Sequence, residues 1–407
     1  MITQVLPLSD LNEFIVTPRL IDPDSMVAVI GDLHRLPKHR ISILNSRQRR
    51  LPHADDPWLS STVDAIDESV SKTNAIITSV GMITWEWCLW NTSRLKGHQI
   101  IIVPRGKVST FPDRVEQMIR DFDLDESRAM FLMPFCPKKK SVRKAIYPER
   151  DSWVIALSHR ILPVAIRPDG IMSKMLAEQE ISCKIDTSCQ ITAKPVKTSQ
   201  DQIRQLITNS SRIITRIGTD WDYLTHWTRA CHGPWHEERY NDFYNDLFRA
   251  KTGYPRDGLH TLKRILTEQK IRGSGRLMPG NVPIVSLTQK SPIELLDIIR
   301  WRSGFIRWNF EPYGISIKTE LLRSMGARPV TYGTQEQFKQ LPQNERSFLQ
   351  RVIPNGKDWR VEEEWRLPGN LELANLSEND AIVWIPNAEQ VSEIQRVSRF
   401  PVHSLIE

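Results

Sequence analysis

Short β-branched runs alternate with helix-period stretches through roughly the first 175 residues, and this alternation constrains the fold more than any other feature of the chain. Val27–Ile30, Ile41–Leu44, Ala75–Ile77 and Gln99–Val103 read as strands, and Trp153–Leu157 and Leu162–Ile166 complete the series. Between them Pro57 opens a helical pattern through Trp58, Val63, Ile66 and Val70, and a second helix follows through Trp85, Leu89 and Trp90. Strand–helix alternation of this kind predicts a mostly parallel sheet with helices on both faces. The N-terminal region, residues 1–180, is therefore expected to be an α/β Rossmann-like domain.

In such sheets ligands sit beyond the carboxyl ends of the strands. Polar residues occupy those positions here. Ile41–Leu44 runs into Asn45, Ser46 and Arg47; Ala75–Ile77 runs into Ser79 and Gly81; Leu162–Ile166 runs into Arg167 and Gly170. Hydroxyls and exposed N–H groups at the start of a helix suit a phosphate or carboxylate, and Arg47 and Arg167 can add bidentate contacts. Any one of these ends is equally an ordinary βα turn. Three in one sheet point toward a nucleotide pocket.

Asn45-Ser46-Arg47-Gln48, Asp56-Pro57-Trp58 and the stretch Ser79–Glu86 resemble the Rossmann-like nucleotide-binding domains of the DprA and lysine-decarboxylase-like group, often called SLOG. The resemblance covers roughly residues 25–180. It implies nucleotide sensing or binding. That group commonly carries a Gly-Gly-rich phosphate turn, where this chain has Thr84-Trp85-Glu86 and Arg167-Pro168-Asp169-Gly170, so the resemblance implies binding more readily than hydrolysis.

The bulk numbers exclude some classes and leave others open. With 40% hydrophobic and 25% charged residues the chain cannot be disordered throughout. Lys plus Arg total 55 against 48 for Asp plus Glu, a net charge of +7 compatible with a nucleotide or nucleic-acid partner. The basic run at residues 138–144 is either a solvated loop or a phosphate contact. Five cysteines without a Cys-x-x-Cys spacing fit a reducing, cytoplasmic setting. No apolar run approaches the ~20 residues of a membrane helix, so no membrane association is expected. Homo-oligomerisation is compatible with all of this.

Residues 181–205 read as a linker or peripheral hairpin, and 206–407 as an α+β domain with a mixed or antiparallel sheet. Its strand candidates are Tyr223–Trp227, Pro283–Leu287, Gly314–Ile317, Arg328–Tyr332, Val361–Arg366 and Ala381–Ile385. The stretch Ala230–Gly258 looks like an insertion after the first of them. Trp359-Arg360-Val361-Glu362-Glu363-Glu364-Trp365-Arg366 is the densest cluster of chemistry. Read as one strand, it would place Glu362 and Glu364 on a face with the two arginines, and Glu363 among Trp and Val. His226 on one strand, Ser286 on another, Tyr313 and a glutamate of 362–364 would suit a ribose-bearing ligand: the His for a hydroxyl, the ring for a base, the carboxylate for a developing oxocarbenium. Each has a bland counterpart, namely a structural His, a strand-end Ser and surface ion pairs.

This set is similar to that of ADP-ribosyltransferase-like folds. His226-Trp227-Thr228 and Glu362-Glu363-Glu364-Trp365-Arg366 also resemble the opening and closing motifs of an uncharacterised bacterial family, some of whose members are linked to phage defence. The resemblance implies His226, Ser286, Glu362 and Glu364 as catalytic candidates, with NAD or another nucleotide as cofactor. His226, Cys231, His232 and His236 are close in sequence, but their spacing fits no standard zinc pattern, and no metal is expected. Two functions stand side by side. One is a nucleotide-sensing protein whose C-terminal domain acts on NAD or a related ribosyl donor, as a transferase, glycohydrolase or toxin. The other is a non-enzymatic binder of nucleotide or single-stranded nucleic acid.

Overall fold

The computed structural model describes residues 2–35, 37–137, 146–177, 181–193, 220–275, 278–294, 299, 301–302, 307–352 and 359–406. The basic run at 138–144 lies outside them. Two compact units divide the chain: Met1–Lys197 together with Gly233–Pro255, and Thr198–His232 together with Arg256–Glu407. Residues 233–255, within the stretch that the sequence sets apart after the His226 strand, thus pack with the first unit.

The first unit is built on eight strands: β1 (Gln4–Pro7), β2 (Met26–Ile30), β3 (Arg40–Asn45), β4 (Ala75–Ser79), β5 (His98–Ile102), β6 (Ala129–Phe135), β7 (Arg160–Ala165) and β8 (Lys184–Ile185). Their order is β1-β2-β6-β5-β4-β3-β7-β8. The six strands from β6 to β8 pair in parallel, while β2 and β1 add an antiparallel edge. All six residues of β3 are buried, as a central strand covered on both faces requires. Five helices connect the strands: α1 (Pro57–Ser71), α2 (Ile83–Arg94), α3 (Phe111–Phe122), α4 (Ile146–Ala156) and α5 (Ile171–Ala177). Pro57 begins α1 at the first-turn position where a missing N–H costs nothing.

Two elements differ from the sequence reading. Trp153–Ala156 belongs to helix α4, not to a strand. All four residues are at most 1% exposed, and a short run that is apolar on every side reads alike as buried helix or buried strand. The strand β6 carries Pro134 and two methionines instead of a β-branched run, so its composition gave no strand signal.

The second unit holds a seven-stranded sheet in the order Arg328–Pro329, Glu364–Pro368, Ile284–Thr288, Tyr223–Trp227, Gly314–Lys318, Ala381–Asn387, Val402–Ile406. Every pairing is antiparallel except the last. One face carries Leu224, Val285, Leu287, Ile315, Ile317, Trp365 and Leu367 into the main core. The other is polar and Trp-rich. Thr225 and Ser316 share a hydroxyl hydrogen bond of 2.7 Å, Trp384 Nε1 donates to Ser316 Oγ at 2.8 Å, and Trp227, Trp308 and Trp384 cluster nearby. Gly314 is required there, since a Cβ would lie 2.5 Å from the Trp227 ring.

The strand over 359–366 is shorter than the sequence suggests. Arg360–Glu362 forms a 3-10 turn and Glu363 is left-handed at φ 42°, so the extended segment begins only at Glu364. The alternation of faces inferred for Glu362, Glu363 and Glu364 does not hold.

Candidate functional site

In the first unit the connections from β3 to β6 wind outward in one direction, and the chain then returns to place β7 on the other side of β3. The topological switch therefore lies between β3 and β7, where an open α/β sheet leaves a crevice beyond the carboxyl ends. Asn45, Ser46, Arg47 and Arg167 stand at this point.

Four short bonds build the edge. Asn45 Nδ2 donates to Thr62 Oγ1 at 3.0 Å, and Asn45 Oδ1 accepts the Ala165 N–H at 3.2 Å. Ser46 N–H donates to the Ala165 carbonyl at 2.9 Å, and Ser46 Oγ accepts the Arg167 N–H at 2.9 Å. The register slips by one residue between Leu44 and Asn45, a bulge of the kind that re-aims the side chains beyond it. Asn45 and Ser46 are buried, and their side chains are spent on fixing the crevice walls. Arg47 and Arg167 are exposed, and neither guanidinium has a hydrogen bond or ion pair among the described residues.

The neighbouring turn is occupied by the protein itself. Ser79 is fully buried, its hydroxyl donating to the Ile102 carbonyl at 2.6 Å. Gly81, at φ 90°, donates its N–H to Glu86 Oε1 at 2.9 Å, and Tyr244 OH donates to Glu86 Oε2 at 2.7 Å. Burial raises the Glu86 carboxyl above the usual range against these two donors, and it raises the Tyr244 hydroxyl further, with the Glu86 charge adding to it. Arg150, 2% exposed, lies 2.7 Å from Asp151 and over the Trp85 ring. The start of α2 thus carries its own carboxylate where a bound anion would otherwise sit.

In the second unit the catalytic candidates are not assembled as the sequence suggested. Thr288 pairs with Thr225, which sets Leu287 opposite His226. Ser286 therefore points to the other face, where it is exposed. It meets His226 only through its carbonyl, which accepts from Nδ1 at 2.9 Å. That bond fixes the Nδ1–H tautomer and leaves Nε2 as the unprotonated nitrogen; burial lowers the His226 pKa. All three glutamates are paired. Glu362, 8% exposed, meets Arg302 at 3.1 Å. Glu363 meets Lys290 at 2.8 Å. Glu364 takes both Nε and Nη2 of Arg366 at 2.9 and 3.1 Å, while Arg366 Nη1 donates to the Ser347 carbonyl.

One group stands apart in the Glu311–Ile315 segment, of which the sequence reading used only Tyr313. Glu311 Oε1 accepts the Ala230 N–H at 2.9 Å, and the carboxyl packs so close to the Asp257-capped helix Gly258–Glu268 that a Cβ on Gly258 would be 2.6 Å from it. Burial pushes Glu311 up to about 7, opposed by the Ala230 hydrogen bond and by Arg229. Arg229 is exposed, and beyond this charge interaction it forms no hydrogen bond or ion pair among the described residues. Tyr313 belongs to this neighbourhood, its ring against Gly258 and its hydroxyl at hydrogen-bonding distance from Gln390. Only burial marks Glu311, and burial is not written in a Glu-Pro-Tyr-Gly sequence. Among the described residues no three His, Cys, Asp or Glu side chains converge as a metal would need, and no helix is long and apolar enough to cross a membrane.

The first unit is thus defined by its topology as a doubly wound α/β sheet whose switch point lies between β3 and β7. No protein-family model matches the chain, and no curated protein does. Among solved structures it is similar to DNA processing protein A from Streptococcus pneumoniae, with 14% identity and a TM-score of 0.32 over 45% of this chain and 61% of that one. It is similar also to a DNA processing protein A from Helicobacter pylori, solved for its single-stranded DNA binding mode, with 15% identity and a TM-score of 0.32 over 48% of this chain and 92% of that one. The chain thus spans less than two thirds of the first of these.

Proposed function

We propose that the first unit binds a phosphate-bearing ligand, a nucleotide or a stretch of single-stranded nucleic acid, at the β3/β7 switch. The observation that carries this reading is the pair Arg47 and Arg167. Both are exposed and lack side-chain partners among the described residues, and they flank a crevice whose walls are held by Asn45 and Ser46. Arginine meets phosphate oxygens in bidentate geometry, and two uncommitted guanidinium groups at a topological switch can take an anionic ligand. The charge of +7 supports the same reading. Fluorescence anisotropy with labelled oligo-dT, and calorimetry with ATP, test it at low and high salt. Binding should weaken with salt, and Arg47→Ala and Arg167→Ala should each lower the salt slope by about 1. No binding of either probe at low salt, or variants with unchanged slopes, would sink it.

A second reading is favoured by Glu311. A carboxyl brought to about 7 can give and take a proton near neutral pH. With Arg229 close by, it suits chemistry on NAD or a related ribosyl donor, which would fit a toxin or phage-defence role. In this reading Glu311 is the acting carboxyl, because Glu362 and Glu364 are held by Arg302 and Arg366. Incubation with NAD and chromatography of the products is the trial: nicotinamide release that Glu311→Gln abolishes supports it, and no release from the wild-type protein removes it.

A further inference from the structure

Arg47 is carried on the loop 46–56, which joins β3 to α1 without a helix or strand of its own. Part of its order is internal. Gln48 Nε2 donates to the Ser46 carbonyl at 3.1 Å, Arg49 meets Asp56 at 2.8 Å, and the His53 N–H donates to Asp56 Oδ2 at 3.0 Å. A further hold comes from far along the chain. The Ala54 N–H donates to the Gly253 carbonyl at 2.7 Å, and the Gly253 N–H donates to Asp55 Oδ1 at 3.2 Å.

Gly253 is suited to this double contact by its backbone. Its φ of 66° is left-handed, and a Cβ there would meet open space. Glycine is therefore favoured by conformation and not by crowding.

The limb that carries Gly253 is pinned on both sides. Before it, the helix Tyr240–Arg249 lays Phe248 against Trp87 and Trp90. Lys251 and Thr252 are exposed, and the chain then dives: Tyr254 is 5% and Arg256 1% exposed. The Arg256 carbonyl accepts the Cys231 N–H at 2.8 Å, and Gly258 packs against the Glu311 carboxyl, which also holds the Ala230 N–H. Consecutive Cα atoms are fixed about 3.8 Å apart, so a chain held at Gly253, Tyr254 and Arg256 has little slack between those points.

We infer that residues 251–258 are a strap that couples ligand occupancy at the β3/β7 switch to the backbone around Glu311. A ligand drawn onto Arg47 biases the loop 46–56, the loop holds Gly253, and Gly253 is tied by a short run of chain to Arg256 and Gly258. Such coupling is reciprocal, so a change at Glu311 alters affinity at the switch by the same factor. The ligand arm of this coupling rests on the phosphate-binding reading of the switch; the strap itself rests on the Gly253 contacts.

Hydrogen–deuterium exchange on the full chain tests it, with oligo-dT and ATP as probes. Without a probe, Asp55→Ala and Gly253→Val should each speed exchange of the Ala54 amide about fivefold, the effect of one lost hydrogen bond. The Ala230 and Cys231 amides should change in the same direction. A probe that binds the wild type should slow exchange over residues 47–56 and also at Ala230 and Cys231, and the second response should vanish in both variants. Asp55 is exposed, so its variant decides should Gly253→Val fold poorly. Ala230 and Cys231 amides that ignore the substitutions overturn the coupling, whatever the probes do. Slowing confined to residues 47–56 in the wild type overturns it too, and leaves the switch site standing. No slowing over 47–56 with either probe removes the switch site, and the coupling with it.

Discussion

Arg47 and Arg167 in the first unit and Arg302 and Arg366 in the second make an instructive contrast. Arg47, Arg167 and Arg302 sit at or beside strand ends, and Arg366 lies in mid-strand. The first two are exposed and unpaired among the described residues. Of the others, Arg366 is 5% exposed and bonded through every nitrogen of its guanidinium, and Arg302 pairs with Glu362 and lies 4.2 Å from the Trp359 ring centre. The conspicuous acid–arginine segment of the sequence is thus mainly structural, while the inconspicuous arginines stay uncommitted among the described residues. A charge cluster in a sequence marks a cost that folding has had to meet; it does not by itself mark chemistry.

The largest effect should come from breaking the structural side of this contrast. Glu364→Ala leaves Arg366 buried without its carboxylate and is expected to cost the second unit about 3–5 kcal/mol, read from its denaturant unfolding. A loss below about 1 kcal/mol, the worth of an exposed pair, would mean that Glu364 is free to act elsewhere.

Next comes pH. The Glu311 carboxyl is raised in the folded state from 4.5 to about 7. Its contribution is fully present below pH 4.5 and is lost as pH rises through 7, an effect of about 3 kcal/mol at most. Glu311→Gln should lack this slope and become the more stable protein at pH 8. Parallel stability curves from pH 5 to pH 8 would contradict this.

Asn45→Ala should cost the first unit about 1–3 kcal/mol, because the Ala165 N–H loses its partner and the Thr62 hydroxyl, still donating to the Trp58 carbonyl, loses its donor. It should also weaken ligand binding at the switch without touching the ligand. Smallest of all, Arg47→Ala and Arg167→Ala should move stability by less than about 0.5 kcal/mol, so that any loss of binding in them is a loss of contact. Thermal unfolding of the two variants checks this, and a large drop would place them with the structural arginines.

The first unit was largely legible because its signals are local. The β-branched runs of β3 and β4 end in polar residues, and those ends are where the topology puts the crevice. The sequence could not show that Asn45 and Ser46 would turn inward while Arg47 stayed out, since the bulge at Leu44/Asn45 decides it. Nor could it separate Trp153–Ala156 as helix, because total burial erases periodicity. In the second unit the strands were legible and the site was not. A left-handed Glu363 has no sequence signal, yet it sets the facing of every residue before Glu364. Ser286 and His226 are one residue out of step across neighbouring strands, and one residue exchanges the faces. Glu311 became visible only through its burial.

The excursion of residues 233–255 has a consequence for how the molecule can be taken apart. The helix Tyr240–Arg249 packs Tyr244 against Trp87 and Trp90 in the first unit, although the chain on either side of residues 233–255 belongs to the second. No single cleavage can then release either unit whole. A fragment ending near residue 197 would lack the wall that covers α2, and one beginning there would carry that wall as exposed aromatic surface. A ribosome would also have to reach Pro255 before the first unit could close, by which time the first strand of the second has already emerged.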